Sequence, residues 1–328
     1  MFIKYYKGKM KNMNLLGKLQ PLIIIGAALA GLVLGAATPF GNVSSGLIEF
    51  FLMLLLYVLF LCVDLKQIKQ SLKNIRYTVT AVLINFIFTP LLAYMLGSIF
   101  FGDAIDIRIG LLMLLVTPCT DWYLVFTGLS KGNVELNMSI LPLNLILQII
   151  LLPVYLLIFM KSEVTIDASA LVGSVAVVLL IPFLIAYTTK IFIGKNDDFQ
   201  RFLGEQSDNL QLLFLCLAVI AMFASEGKNL LENPILLVEM FIPLICFFVI
   251  LFFVAQFAGR IQGFDKKDIV ALNFTTLARN SPLSLAIAVA TFPDRPLISL
   301  ALVIGPLIEL PVLSLISGIL RKWNAYQG

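Results

Sequence analysis

The sequence predicts an all-α membrane protein of ten transmembrane helices, arranged as two inverted five-helix repeats with one broken helix in each. Three observations carry that prediction. The chain is 60% hydrophobic and 13% charged, with a mean hydropathy of +1.00, a balance that no soluble domain of 328 residues tolerates on its surface. Apolar runs close to the roughly 20 residues that cross about 30 Å of hydrocarbon recur along it, joined by short polar connections. Two of these runs are interrupted in corresponding places, Thr117-Pro118-Cys119-Thr120-Asp121 and Ala278-Arg279-Asn280-Ser281-Pro282. Pro118 is followed by Pro142 and Pro282 by Pro306 at the same interval of 24 residues, so one offset of 164 superimposes both pairs.

The elements follow in chain order. Residues 1–19 are basic and have no apolar core before Leu15, which reads as a cytoplasmic tail and not a cleavable leader; Met10 and Met13 leave a later start open. Gln20–Ala37, Gly46–Val63 and Tyr77–Phe100 read as the first three apolar spans. Ile107–Leu129 contains the first break, and Leu136–Met160 carries Pro142. The second half repeats the order with Ala168–Ile193, Asn209–Ser225, Pro234–Arg260, the broken Ile269–Phe292, and Leu297–Leu320 with Pro306. Residues 20–161 and 162–322 thus form the two repeats, and 323–328 a cytoplasmic C-terminus. An odd number of spans per repeat turns the second half upside down relative to the first.

Lysine and arginine set the orientation, because cytoplasmic loops retain them. With the N-terminus inside, 18 of the 23 fall on the inner side, and only Arg108, Lys161, Lys228 and Arg295 fall outside. Both termini are therefore expected in the cytoplasm of a plasma-membrane protein. The net charge of +4 is this inner bias, and no nucleic-acid motif accompanies it. The four cysteines all lie within apolar spans without close-spaced partners, which argues against a disulfide framework or a zinc site. The chain has no histidine, so zinc proteolysis lacks its ligands and proton transfer falls to carboxylates. An aspartyl protease needs two acids sharing a proton, and Asp121 has no evident partner for that. No enzyme activity and no cofactor are expected.

Helix breaks gather chemistry for a physical reason. Proline removes one amide donor and crowds the carbonyl a turn earlier, and the freed backbone survives in a membrane only when buried in protein or facing a wet cavity. Matched broken helices are a sequence pointer to the central site of a secondary transporter. Asp121 and Arg279 lie in the two breaks; a lone charge there costs at least about 2.5–3.5 kcal/mol, so Arg279 either pairs with Asp121 or binds an anion directly. Glu309, between Pro306 and Pro311, has no basic residue within a helical turn and is expected to take and release a proton. Cys119 follows a helix-breaking proline and is flanked by Thr117 and Thr120. A thiolate there suits capture and release of a soft metal or metalloid, whereas Cys62, Cys216 and Cys246 read as small apolar residues.

Thr117-Pro118-Cys119-Thr120, then Gly128-Leu129-Ser130-Lys131-Gly132-Asn133 and Leu143-Asn144, resemble the fourth-to-fifth-span signature of the arsenite efflux permeases in the bile acid/arsenite/riboflavin transporter superfamily. Leu285-Ala286-Ile287-Ala288-Val289-Ala290 and Gly305-Pro306-Leu307-Ile308-Glu309-Leu310-Pro311-Val312 resemble its ninth- and tenth-span signatures. The resemblance runs from about Leu22 to Leu320. It implies a bile acid:sodium symporter-like fold in which the two broken helices cross, and extrusion of arsenite, with antimonite as a second candidate substrate, in exchange for protons. By the same resemblance, Cys119 is the essential thiol that binds arsenic and Glu309 the essential carboxylate. Thr120, Asn144 and Asn280 are expected to hydrogen-bond the substrate, while Pro118 and Pro282 mark the helix breaks. The chain departs from the pattern at Asp121-Trp122 and at Ser281-Pro282-Leu283-Ser284, where many relatives have two asparagines and a glutamate. The alternative is a sodium-coupled symporter of an organic anion, which Arg279 would favour.

Overall fold

A computed structural model describes residues 15–37, 41–62, 72–120, 122–160, 168–193, 196–232 and 235–325. Asp121, one of the two alternatives weighed for Arg279, lies outside the described residues, as do the N-terminal tail before Leu15 and most of the basic loop after Cys62. Every named element among the described residues is helical. We label them α1 (Leu15–Ala37), α2 (Gly41–Cys62), α3 (Ile75–Phe101), α4 (Ile105–Leu115), α5 (Trp122–Leu129), α6 (Val134–Met160), α7 (Ala168–Phe192), α8 (Asp197–Glu232), α9 (Ile235–Ile261), α10 (Lys266–Leu277), α11 (Ser281–Thr291) and α12 (Pro296–Ala325).

Backbone groups in hydrocarbon must be satisfied within their own segment, which makes each long apolar run a helix. Four helices among the described residues are long and apolar enough to cross a membrane on their own: α3, α6, α12 and Val238–Ile261 of α9. The helices overlap the apolar runs read from the sequence, but several ends differ: α1 and α2 begin at Leu15 and Gly41, before the expected Gln20 and Gly46, and α8 runs on to Glu232, past the expected Ser225. α8 begins at Asp197, well before the expected Asn209, because a helix continues through a polar segment that hydropathy cannot mark as a span.

α8 packs against α1 and α2, and α7 lies on α2, so these four helices form one layer. The remaining helices make a second layer, in which α4 lies against α3 and α12, α10 against α9, α5 and α6, and α11 against α12. Small residues set the closest approaches. A Cβ on Gly110 of α4 would stand 2.7 Å from the Ile298 carbonyl oxygen of α12, and one on Gly35 of α1 would stand 2.4 Å from Ala224 O of α8. Opposite ends of the second layer are tied by polar pairs. Asp106 meets Arg295 at 3.2 Å, and the Asn133 amide donates to Asp268 at 2.7 Å.

Two glycine turns feed the broken segments. Gly102 ends α3. Gly263, with φ +68°, stops α9 in the left-handed region that glycine enters without penalty. Asp265 then caps α10 by accepting from the Asp268 amide at 2.8 Å. Within α3 the residues Ile84–Phe88 widen into a π turn. Pro90, four residues beyond Phe86, has no amide hydrogen to offer that carbonyl, and the Tyr155 hydroxyl of α6 donates to Phe86 O instead at 2.6 Å.

Candidate functional site

The two broken helices meet. α4 ends at Leu115 and α5 starts at Trp122, while α10 ends at Leu277 and α11 starts at Ser281. Ala278, between the latter pair, is extended, with φ −74° and ψ 137°. Pro118 and Arg279 face each other in an antiparallel bridge. The Cys119 amide donates to Ala278 O at 2.9 Å and the Asn280 amide to Thr117 O at 2.7 Å. Proline chemistry accounts for the match. Pro282 has no N–H for Ala278 O, the carbonyl a turn before it, and Cys119 supplies the missing donor. Pro118 leaves Leu114 O in the same position, and the Thr117 hydroxyl donates there at 3.2 Å.

A helix leaves its last four carbonyls without intrahelical donors, and here two helices end side by side in a buried interior. All eight carbonyls can be followed. In α4, Leu112 O accepts from the Val116 amide, Met113 O from the Ser284 hydroxyl at 2.8 Å, and Leu114 O from the Thr117 hydroxyl at 3.2 Å. Leu115 O accepts from the Arg279 guanidinium at 2.9 Å. In α10, Phe274 O accepts from the Ala278 amide, and Thr275 O from the Asn85 side chain at 3.1 Å. Thr276 O and Leu277 O both accept from Arg279, the latter at 3.2 Å from Nε. The guanidinium also donates to Asn85 Oδ1 at 3.2 Å and lies 5.4 Å from the centroid of the Phe247 ring. Arg279, only 2% exposed, therefore joins the negative ends of two half-helices.

Glu309 reaches the same place from α12. Its Oε1 accepts from the Arg279 main-chain amide at 2.8 Å. α12 is held there by a further proline effect: Pro306 offers no N–H to Leu302 O, and the Ser281 hydroxyl donates to that carbonyl at 2.7 Å. On the other side, Asn280 caps α11 by accepting from the Leu283 amide at 3.3 Å, and its Nδ2 donates to Thr120 Oγ1 at 3.5 Å. Cys119, Thr120, Arg279, Asn280 and Glu309 are all buried.

Of the residues singled out from the sequence, Pro118, Cys119, Thr120, Arg279, Asn280, Pro282 and Glu309 come together around the crossing. Asn144 does not bond within it. Its Nδ2 donates to Thr275 Oγ1 of α10 at 3.3 Å, one helical turn before Arg279, and its Oδ1 is buried with no hydrogen-bond partner among the described residues. Sequence reasoning missed Asn85, Phe247 and Ser284. Asn85 carried a faint signal, as an amide in the middle of the apolar span Tyr77–Phe100; Phe247, one phenylalanine among 26, carried none.

Crossed broken helices buried in an apolar helical body define the class of a carrier that binds its solute at the middle of the membrane. The chain belongs to the sodium bile acid symporter family, whose model matches residues 49–233, more than half of its length. It is similar to the arsenical-resistance protein Acr3 of Corynebacterium glutamicum, at 26% identity over 94% of this chain and 89% of that one. It is also similar to the arsenical-resistance protein Acr3 of Alkaliphilus metalliredigens, at 23% over 82% and 80%. An uncharacterized transporter of Synechocystis is 23% identical over 92% of this chain and 85% of the relative. The chain is thus a multi-pass membrane transporter and not an enzyme.

Proposed function

We propose that this chain is a plasma-membrane carrier that extrudes arsenite in exchange for protons by alternating access. The reading extends to antimonite, which shares the thiol chemistry. The observation that carries it is the convergence of the Cys119 main-chain amide and the Glu309 carboxylate on one peptide group at the crossing of the two breaks. The relatives named for arsenical resistance support the choice of substrate. In this reading, neutral As(OH)3 enters from the cytoplasm and the Cys119 thiol displaces one hydroxyl. An S–As bond forms, an As–O bond breaks, and the thiol proton leaves with the hydroxyl as water. Arsenic stays trivalent throughout. Thr120, Asn280 and Asn144 hydrogen-bond the remaining hydroxyls. Protonation of Glu309 from outside shifts the population toward the outward-open conformer, where water reverses the exchange and releases As(OH)3.

The architecture proposed with it is ten spans in two inverted repeats, residues 20–161 and 162–322, with both termini cytoplasmic. In that scheme α1, α2, α7 and α8 are the first two helices of each repeat, and their packing as one layer supports it. The alternative, a sodium-coupled organic-anion symporter, would use Arg279 to bind the anion. The direction of the guanidinium toward Leu115 O, Thr276 O, Leu277 O and Asn85 counts against that use. Growth of an arsenite-sensitive bacterium tests the proposal. Expression of the wild type should restore growth on arsenite and expression of Cys119→Ser should not; equal protection by both would refute the role of the thiol.

A further inference from the structure

We propose that the Arg279 guanidinium is a built-in cation that fills the place of a coupling sodium ion, so that this member of a sodium symporter family works without sodium. The inference rests on the carrier reading above but not on arsenite as the substrate.

The crossing presents three main-chain carbonyl oxygens, Leu115 O, Thr276 O and Leu277 O, together with Asn85 Oδ1, to one guanidinium. The carbonyls belong to the C-terminal ends of α4 and α10, where the helix dipoles place partial negative charge. Broken-helix carriers use such half-helix ends and unwound carbonyls to coordinate a free cation. Here the donor is covalently attached one residue past the end of α10's extended exit, at Arg279 itself. The π turn of α3 adds to the fit. It carries Asn85, whose amide nitrogen donates to Thr275 O while its oxygen accepts from the guanidinium. Phe247 of α9 closes the site with its ring, which favours a weakly hydrated planar cation over a hydrated ion. An ion entering beside Arg279 would meet a like charge at close range. The site is therefore occupied by the chain's own cation in every state in which the crossing persists.

The sodium response of the purified full chain in detergent decides this without reference to any transported solute. Thermal unfolding is followed in sodium chloride and in choline chloride at equal ionic strength. The wild type and Arg279→Lys should show the same midpoint in both salts. Arg279→Ala, which empties the cage, should show a midpoint higher in sodium by on the order of 3 °C. A folded Arg279→Ala protein with no sodium response would overturn the proposal, as would a wild type stabilised by sodium. Should Arg279→Ala not fold, equilibrium binding of radioactive sodium to the wild type decides alone: no saturable binding upholds the proposal and saturable binding ends it. Arsenite transport lost for other reasons leaves these readouts unaffected, so the two proposals fail separately.

Discussion

Cys119 and Glu309 meet the two edges of a single peptide group. Ala278 O accepts from the Cys119 amide at 2.9 Å, and the Arg279 N–H of the same trans peptide donates to Glu309 Oε1 at 2.8 Å. Because carbonyl and amide of a trans peptide point in opposite directions, the first break and α12 are held on opposite sides of the second break. A rotation of that one peptide would disturb both residues together, which in the proposed mechanism would give substrate binding and protonation a shared mechanical element.

Glu309→Gln should separate the charge from the hydrogen bond. The amide oxygen of glutamine can still accept from the Arg279 N–H, so stability should change by about 1 kcal/mol or less, whereas Glu309→Leu strands a buried donor and should cost about 1–3 kcal/mol. Chemical denaturation measures both. In vesicles, Glu309→Gln should no longer accumulate arsenite in response to an imposed proton gradient; full gradient-driven exchange by this variant would remove Glu309 from the coupling.

Asn280 is the cap of α11 and the contact to Thr120. Asn280→Ala should lose about 1 kcal/mol through the cap, while Asn280→Asp keeps an acceptor for the Leu283 amide and should lose less. Equal losses in thermal unfolding would show that the cap is not what Asn280 contributes.

Two glycines distinguish rigid from yielding neighbours. A Cβ at Gly110 would lie 2.7 Å from the main-chain oxygen of Ile298, and one at Gly305 would lie 2.6 Å from Leu114 Cδ2 at the tip of a side chain. Gly110→Ala should therefore destabilise by about 1–3 kcal/mol, the usual cost of overpacking, and Gly305→Ala by clearly less, since Leu114 can move. The order of their unfolding midpoints checks this.

The π turn of α3 makes a double-mutant test possible. Tyr155→Phe removes the donor to Phe86 O and should cost about 1–2 kcal/mol. Pro90→Ala returns a main-chain amide near that carbonyl, so Tyr155→Phe should cost much less in the Pro90→Ala background. Additive losses would mean that Tyr155 does not stand in for the amide that proline lacks.

Much of the site was legible in the sequence because proline is a local signal. Pro118 and Pro282 announce broken helices wherever they stand in an apolar run, and Cys119 and Glu309 stand out as polar groups beside such breaks. What the prolines strand is also calculable, namely the carbonyls of Leu114, Ala278 and Leu302. Which donors fill those vacancies is not, since Cys119 reaches Ala278 and Ser281 reaches Leu302 only after the chain folds across itself. Arg279 shows the same limit: its charge demanded a partner, but nothing local identified the ends of two helices and an asparagine in α3 as that partner. The long polar start of α8 escaped because hydropathy reports where lipid is, not where a helix begins.

Arsenite accumulation in everted membrane vesicles energised with a proton gradient tests the central claim most directly, with Cys119→Ser as the comparison. Serine preserves the main-chain amide that binds Ala278 O, so the crossing survives and only the sulfur is lost. The account predicts accumulation by the wild type and a fall to background in the variant at equal expression. Undiminished accumulation by Cys119→Ser would contradict it.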